Sequence, residues 1–107
     1  MPKYSPLFAG GLLAATALSV PALAQDEVAP AIIYDLGGKF DKSFNEAAYN
    51  GAEKFKTETG VEYVEFEISN DAQREQALRR FAEAEFNPVV TTGFSFSTPI
   101  AAIAKDY

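Results

Sequence analysis

From Pro30 onward the chain alternates between short runs of branched apolar residues and longer stretches whose apolar positions recur every three or four residues. Ala31-Ile32-Ile33-Tyr34 is a continuous apolar run bounded by Pro30 and by Asp35-Leu36-Gly37-Gly38, which predicts a buried strand closed by a glycine turn. Ser43-Phe44-Asn45-Glu46 has the spacing of a capping box, in which the Ser43 hydroxyl and Glu46 carboxylate satisfy free N–H groups at a helix start. Phe44, Ala48, Ala52 and Phe55 then fall on one face of that helix, with Glu46, Glu53, Lys54 and Lys56 off it. Gly60 supplies the stop.

Val61 to Ile68 reads as a second strand in which Val64, Phe66 and Ile68 alternate with Glu65 and Glu67, so one face or edge meets solvent. Ser69, Asn70 and Asp71 offer N-caps to a second helix running through Glu85, with Ala77, Leu78, Phe81 and Ala82 turned inward. Arg74, Glu75, Arg79 and Arg80 are expected on its solvated side. Asn87-Pro88 breaks the chain before a third strand, Val89 to Thr92, closed by Gly93. Ser97 or Thr98 ahead of Pro99 predicts the start of a third helix, carried on by Ile100 to Tyr107. The order βαβαβα predicts an α/β fold, a parallel sheet with helices on both faces joined by right-handed crossovers. Three strands make a small parallel sheet and the last helix has no stop, so residues 30–107 are expected to be the first part of a larger lobe.

The segment before Pro30 has a different character. Lys3 stands in a short polar lead, an apolar run extends from Leu7 to Val20, and Pro21-Ala22-Leu23-Ala24 ends it with small residues at the two positions that signal peptidase reads. Residues 1–24 are therefore expected to be a secretory signal peptide and 25–29 a flexible lead-in, leaving 83 residues after cleavage behind Ala24. The run is short for a membrane span and is interrupted by Gly10 and Gly11.

Charge and composition narrow the function. The 107 residues carry a net charge of −6, and because Lys3 is the sole charged residue of the leader, the remainder has eight basic and fifteen acidic side chains. Such a surface repels phosphate backbones, so no nucleic-acid partner is expected. There is no histidine and no cysteine, which excludes a histidine triad, a thiol nucleophile and a Cys/His metal site within the chain. An exported chain with no cysteine also has no disulfide and no attachment point for an N-terminal lipid, and a soluble periplasmic protein is the expectation.

In open parallel sheets ligands bind beyond the carboxyl ends of the strands. Three loops qualify: Asp35 to Lys42, Ser69 to Asp71, and Gly93 to Thr98. In the first, Asp35 stands at a strand end, Gly37-Gly38 allow close approach of backbone, and Phe44 lies in the first turn of the next helix. A carboxylate beside an aromatic ring suits a ligand with hydroxyl groups and a flat face, such as a nucleoside or sugar. Each also has a structural alternative: Asp35 as a turn cap, Phe44 as the first residue of the core stripe, and Phe94 and Phe96 either as cleft walls or as core. Asp41 and Lys42 are expected to face solvent. Gly37-Gly38-Lys39 lacks the phosphate-loop spacing, Ser43 and Ser95 have no histidine base, and no carboxylate pair stands out for acid–base work.

The stretch Asp35-Leu36-Gly37-Gly38-Lys39-Phe40-Asp41-Lys42-Ser43-Phe44-Asn45-Glu46, with Gly51, Glu65 to Arg74 and Gly93-Phe94, resembles the basic membrane protein family of ABC-importer substrate-binding proteins, the group of the purine nucleoside receptors. The resemblance implies a type I periplasmic-binding-protein fold, two α/β lobes closing on a ligand, and delivery of a nucleoside to ABC permease subunits in the inner membrane. It implies that Phe44 stacks on the nucleobase, that Asp35 contacts the nucleoside, and that Asn45, next to the ring at the helix start, belongs to the ligand-binding set. It implies no cofactor, no catalysis and a monomeric receptor. A second stacking aromatic and the residues reading the base edge are expected from chain beyond Tyr107. Two departures stand out: many relatives are lipoproteins whereas this chain has no cysteine, and Ala84-Glu85-Phe86 lacks the glycine expected at a helix end. A sugar receptor of the same fold, a secreted α/β enzyme and a purely structural module are the competing readings.

Overall fold

A computed structural model describes residues 28–107; the leader and residues 25–27 lie outside the described residues. The elements follow in the order β1 (Ala31–Tyr34), α1 (Phe44–Thr59), β2 (Val64–Glu67), α2 (Gln73–Glu83), β3 (Val89–Thr91), a 3-10 turn (Phe94–Phe96) and α3 (Ser97–Ala104). The three strands form one parallel sheet in the order β2-β1-β3, with Ile33 opposite Phe66 on one side and Thr91 on the other. All four residues of β1 are buried, as a strand paired on both edges and covered on both faces requires. Two residues upstream of β1 an isolated antiparallel bridge forms, in which Ala29 exchanges two backbone hydrogen bonds with Asn87. The tail of the lead-in is thereby tied to the sheet.

Alternation along the strands sorts the two faces. Ile33, Ile68, Ala77, Leu78, Phe96 and Ile103 form the core, with Phe66, Phe81, Ala82 and Val89 packed against it, which places α2 and α3 on one side of the sheet. Burying one such side chain stabilises the fold by roughly 1.5–3 kcal/mol relative to exposure. The opposite face, carrying Ile32 and Val90, looks across an open groove onto Ala48, Ala52 and Phe55 of α1. The α1 stripe thus turns toward the sheet, except that Phe44 projects away from it.

Helix ends depart from expectation in two places. The Ser43 side chain caps nothing. Asp41 does so instead, its Oδ1 accepting the N–H groups of Ser43 at 2.8 Å and Glu46 at 3.1 Å, since the left-handed turn at Lys42 brings the carboxylate under the helix start. At the other end Gly60 adopts φ 77° and donates its N–H to Lys56, the expected stop. Helix α2 ends before the missing glycine, and Glu85 takes the left-handed conformation (φ 62°) that glycine would adopt without cost. Helix α3 begins at Ser97, one of the two expected starts, with the 3-10 turn feeding directly into it. Pro99 still falls in the first turn, where its missing N–H is not needed.

Candidate functional site

The site is built on the carboxyl ends of β1 and β3. Its foundation is a buried amide: Asn45, the first buried residue of α1, is 2% exposed, and every polar atom of its side chain is engaged by protein groups. Its Oδ1 accepts the Asp35 N–H at 2.9 Å and the Thr92 hydroxyl, while its Nδ2 donates to the carbonyls of Asp35 at 3.0 Å and Leu36 at 3.3 Å. Thr92 Oγ1 also accepts the Asp35 N–H at 3.2 Å. One residue thus ties the β1 end, the β3 end and the α1 start together, and no buried side-chain polar atom among the described residues lacks a partner.

On this foundation the Asp35 carboxylate is oriented unequally. Its Oδ1 accepts the Leu36 N–H at 2.8 Å and two N–H groups of Arg74, from Nε at 3.0 Å and Nη2 at 2.7 Å. The same guanidinium donates from Nη1 to Asp71 at 3.0 Å and lies 5.7 Å from the centre of the Phe96 ring. Hydrogen bonding to Asp35, outweighing burial, holds Arg74 above its usual pKa. Asp35 Oδ2 accepts no hydrogen bond from the described residues and lies over Gly93, where an added Cβ would come within 2.8 Å of it. Gly93 has φ 97° and ψ 152°, a conformation essentially reserved for glycine.

Phe44, Gly93 and Phe94 line an open cleft of about 260 Å³ beside this carboxylate. Phe44 is 70% exposed and Phe94 90%, whereas Phe96 is 1% exposed and belongs to the core. The Phe94-Ser95-Phe96 ambiguity is therefore resolved by the 3-10 turn, which sends the two rings in opposite directions. Large aromatic rings left in water on the rim of a cleft are unexplained by packing and suit stacking on a flat ligand.

The loop between Asp35 and Lys42 is fastened to the edge strand β2. The Lys39 N–H donates to Glu67 at 2.9 Å, its ammonium pairs with Glu65 and lies over the rings of Phe40 and Tyr49, and the Tyr34 hydroxyl donates to Glu65 at 2.9 Å. Burial, reinforced by Glu65, raises the Tyr34 phenol far above its ordinary pKa. Burial works to raise the Asp41 carboxyl too, but the backbone N–H bonds from Glu46 and Ser43 together hold it below the usual carboxylate range. Among the described residues no cluster of metal-ligating side chains occurs.

A second concavity lies elsewhere, a groove of about 450 Å³ between α1 and the sheet. Val28, Pro30, Ile32, Ala52, Phe55 and Val90 line it, and it offers a ligand almost no polar group. Lacking convergent donors and acceptors, it is a packing surface rather than a recognition site.

Asp35 and Phe44 are thus brought to one cleft, and Asn45 is brought beneath it rather than into it. Arg74 is a correction: expected in solvent, its side chain is 11% exposed and bonded to Asp35. The signal was present in the periodicity, since 74, 77, 78 and 81 follow the i, i+3, i+4, i+7 pattern of the inward face. Thr92 carried no signal beyond its place at a strand end.

A parallel α/β layer whose strand-end loops present a carboxylate oxygen and exposed rings to an open cleft has the architecture in which open parallel sheets place their ligand sites. The sequence model of the Bmp family, described as ABC transporter substrate-binding protein PnrA-like, matches residues 31–107, and the chain belongs to this family. Similar proteins include an uncharacterised lipoprotein of Pyrococcus furiosus, 36% identical over 83 residues, and one of Pyrococcus abyssi, 35% identical over 82 residues. These alignments cover 77% and 76% of this chain but 21% and 20% of the relatives, so the chain spans about a fifth of their length. An ABC transporter solute-binding protein of Aeropyrum pernix K1 is similar in structure, with a TM-score of 0.68 and 29% identity over 76% of this chain and 22% of that one. Another, from Conexibacter woesei DSM 14684, has a TM-score of 0.62 and 28% identity over 75% of this chain and 27% of that one.

Proposed function

We propose that this chain is the N-terminal part of the first lobe of a two-lobe receptor that captures a nucleoside, most simply a purine nucleoside, for an ABC importer. The observation that carries this is the conjunction of exposed Phe44 and Phe94 with the unoccupied hydrogen-bonding capacity of Asp35 Oδ2. Phe44 stacks on the base, Phe94 lines the same cleft, and Oδ2 accepts a hydrogen bond from a ligand hydroxyl. Asn45 contributes by holding the Asp35 backbone rather than by contact, because its amide is already fully used. The output is lobe closure and delivery to the permease subunits, with no bond made or broken and no cofactor.

The receptor acts outside the cytoplasm, after cleavage behind Ala24, as a soluble periplasmic monomer. The Pyrococcus relatives are named lipoproteins, whereas the 107 residues of this chain contain no cysteine. The test is calorimetry on the full-length receptor with inosine, adenosine, guanosine, ribose and common hexoses. Micromolar or tighter binding of nucleosides is expected, and binding of free sugars alone would overturn the assignment.

A further inference from the structure

A carboxylate in a binding cleft can serve as an acceptor only if one oxygen is spare and correctly aimed. The usual arginine–carboxylate pair is a fork that engages both oxygens. Here Nε and Nη2 of Arg74 converge on Oδ1 alone, at 3.0 and 2.7 Å, and the Leu36 N–H joins them at 2.8 Å. Among the described residues no group donates to Oδ2, which stands over Gly93, where no side chain competes for the space. Arg74 itself is oriented by a second carboxylate, Asp71 on Nη1 at 3.0 Å, and by the Phe96 ring of the core. Its position on the inward face of α2 lets a helix buried through Ala77 and Leu78 fix the angle of a group at the carboxyl end of β1.

We infer that Arg74 is a positioning residue of the ligand site, which immobilises Asp35 through Oδ1 so that Oδ2 is presented to a ligand hydroxyl. This rests on the proposal that the cleft beside Asp35 binds a hydroxyl-bearing ligand. Arg74 has a second effect. An unpaired carboxylate would attract cations, whereas one already matched to a guanidinium discriminates by geometry in favour of neutral hydroxyl donors. Asp71, 83% exposed at its side chain, is the lesser partner and can be lost with little consequence.

The test is a double-mutant cycle on the full-length receptor, reading the Kd of a ribonucleoside and of its 2′-deoxy and 3′-deoxy analogues. Arg74→Gln is expected to weaken the ribonucleoside by roughly ten- to a hundredfold, the scale of one charge-assisted hydrogen bond. It should also erase the preference over whichever deoxy analogue lacks the contacted hydroxyl. Arg74→Lys keeps the charge but not the two-point grip, and should recover only part of the loss. In an Asp35→Asn background, Arg74→Gln should change Kd less than twofold. The amide resonance of Leu36 serves as a ligand-free readout and should shift in Arg74→Gln but not in Asp71→Asn. A wild-type Kd in Arg74→Gln, or losses from Asp35→Asn and Arg74→Gln that multiply, would overturn the inference. If the parent binds only a free sugar, the nucleoside assignment fails while the same cycle, run with that sugar, still decides the role of Arg74.

Discussion

Gly93 offers the most direct way to test whether the carboxylate sits where the structure places it. Replacing it by alanine asks two things of the chain at once. The backbone must hold φ 97° and ψ 152° with a Cβ attached, a conformation that costs of order 1–3 kcal/mol. The new methyl would also lie 2.8 Å from Asp35 Oδ2 and 3.6 Å from its Cγ. The carboxylate cannot simply swing away, because Arg74 and the Leu36 N–H hold its other oxygen. Gly60→Ala is the matching control: Gly60 also has positive φ, 77°, but nothing lies within 4 Å of its would-be Cβ. Urea melts of the full-length receptor should show both variants destabilised, by about 1 kcal/mol for Gly60→Ala and by about 1–3 kcal/mol for Gly93→Ala. Calorimetry should separate them, with nucleoside affinity lost in Gly93→Ala and retained in Gly60→Ala. The Leu36 amide should shift only in the former. Equal ligand affinity in the two variants would refute the placement of Oδ2 over Gly93 as a working part of the site.

Two further expectations follow from the same geometry. Phe44→Ala should reduce ligand affinity by the roughly 1–3 kcal/mol of a lost base–aromatic stack with little change in the melt, whereas Phe96→Ala, deleting a core ring, should lower stability by about 3–5 kcal/mol; a large melt shift in Phe44→Ala would place that ring in the core. Asp41 has a lowered pKa in the fold, so its contribution is present above the unfolded value of about 4 and fades as pH falls through the folded one. The Ser43 and Glu46 amide resonances should titrate in that acid range, and Asp41→Asn should abolish the titration; a persistent transition in the variant would assign it to another group.

The backbone plan was readable from alternation and punctuation. Ile33 and Phe66 follow from apolar runs, Gly60 and Gly93 mark the ends of elements, and the inward face of α2 is spelled out by Ala77, Leu78 and Phe81. Side-chain partnerships across elements were less accessible, because sequence distance hides them. Arg74 reaches Asp35 across 39 positions and Thr92 reaches Asn45 across 47. The capping residue was misassigned for a local reason: Ser43 has the right chemistry, but the left-handed turn at Lys42 gives Asp41 the better angle. Phe94 differs from Phe96 only in direction, which the 3-10 phase sets and composition does not.

The place of β1 between its two neighbours has a kinetic meaning. Its amides are enclosed on both edges, so they can exchange with solvent only when the sheet itself opens, while α1, fully buried at Asn45 and half-buried at Ala48 and Ala52, and the short 3-10 turn can open in smaller fluctuations. Asp35 is attached to the slowest of these units, and the two rings ride on the faster ones. The cleft therefore joins a stationary acceptor to movable walls. On the proposed reading, a ligand bridging them would slow the walls without having to move the acceptor.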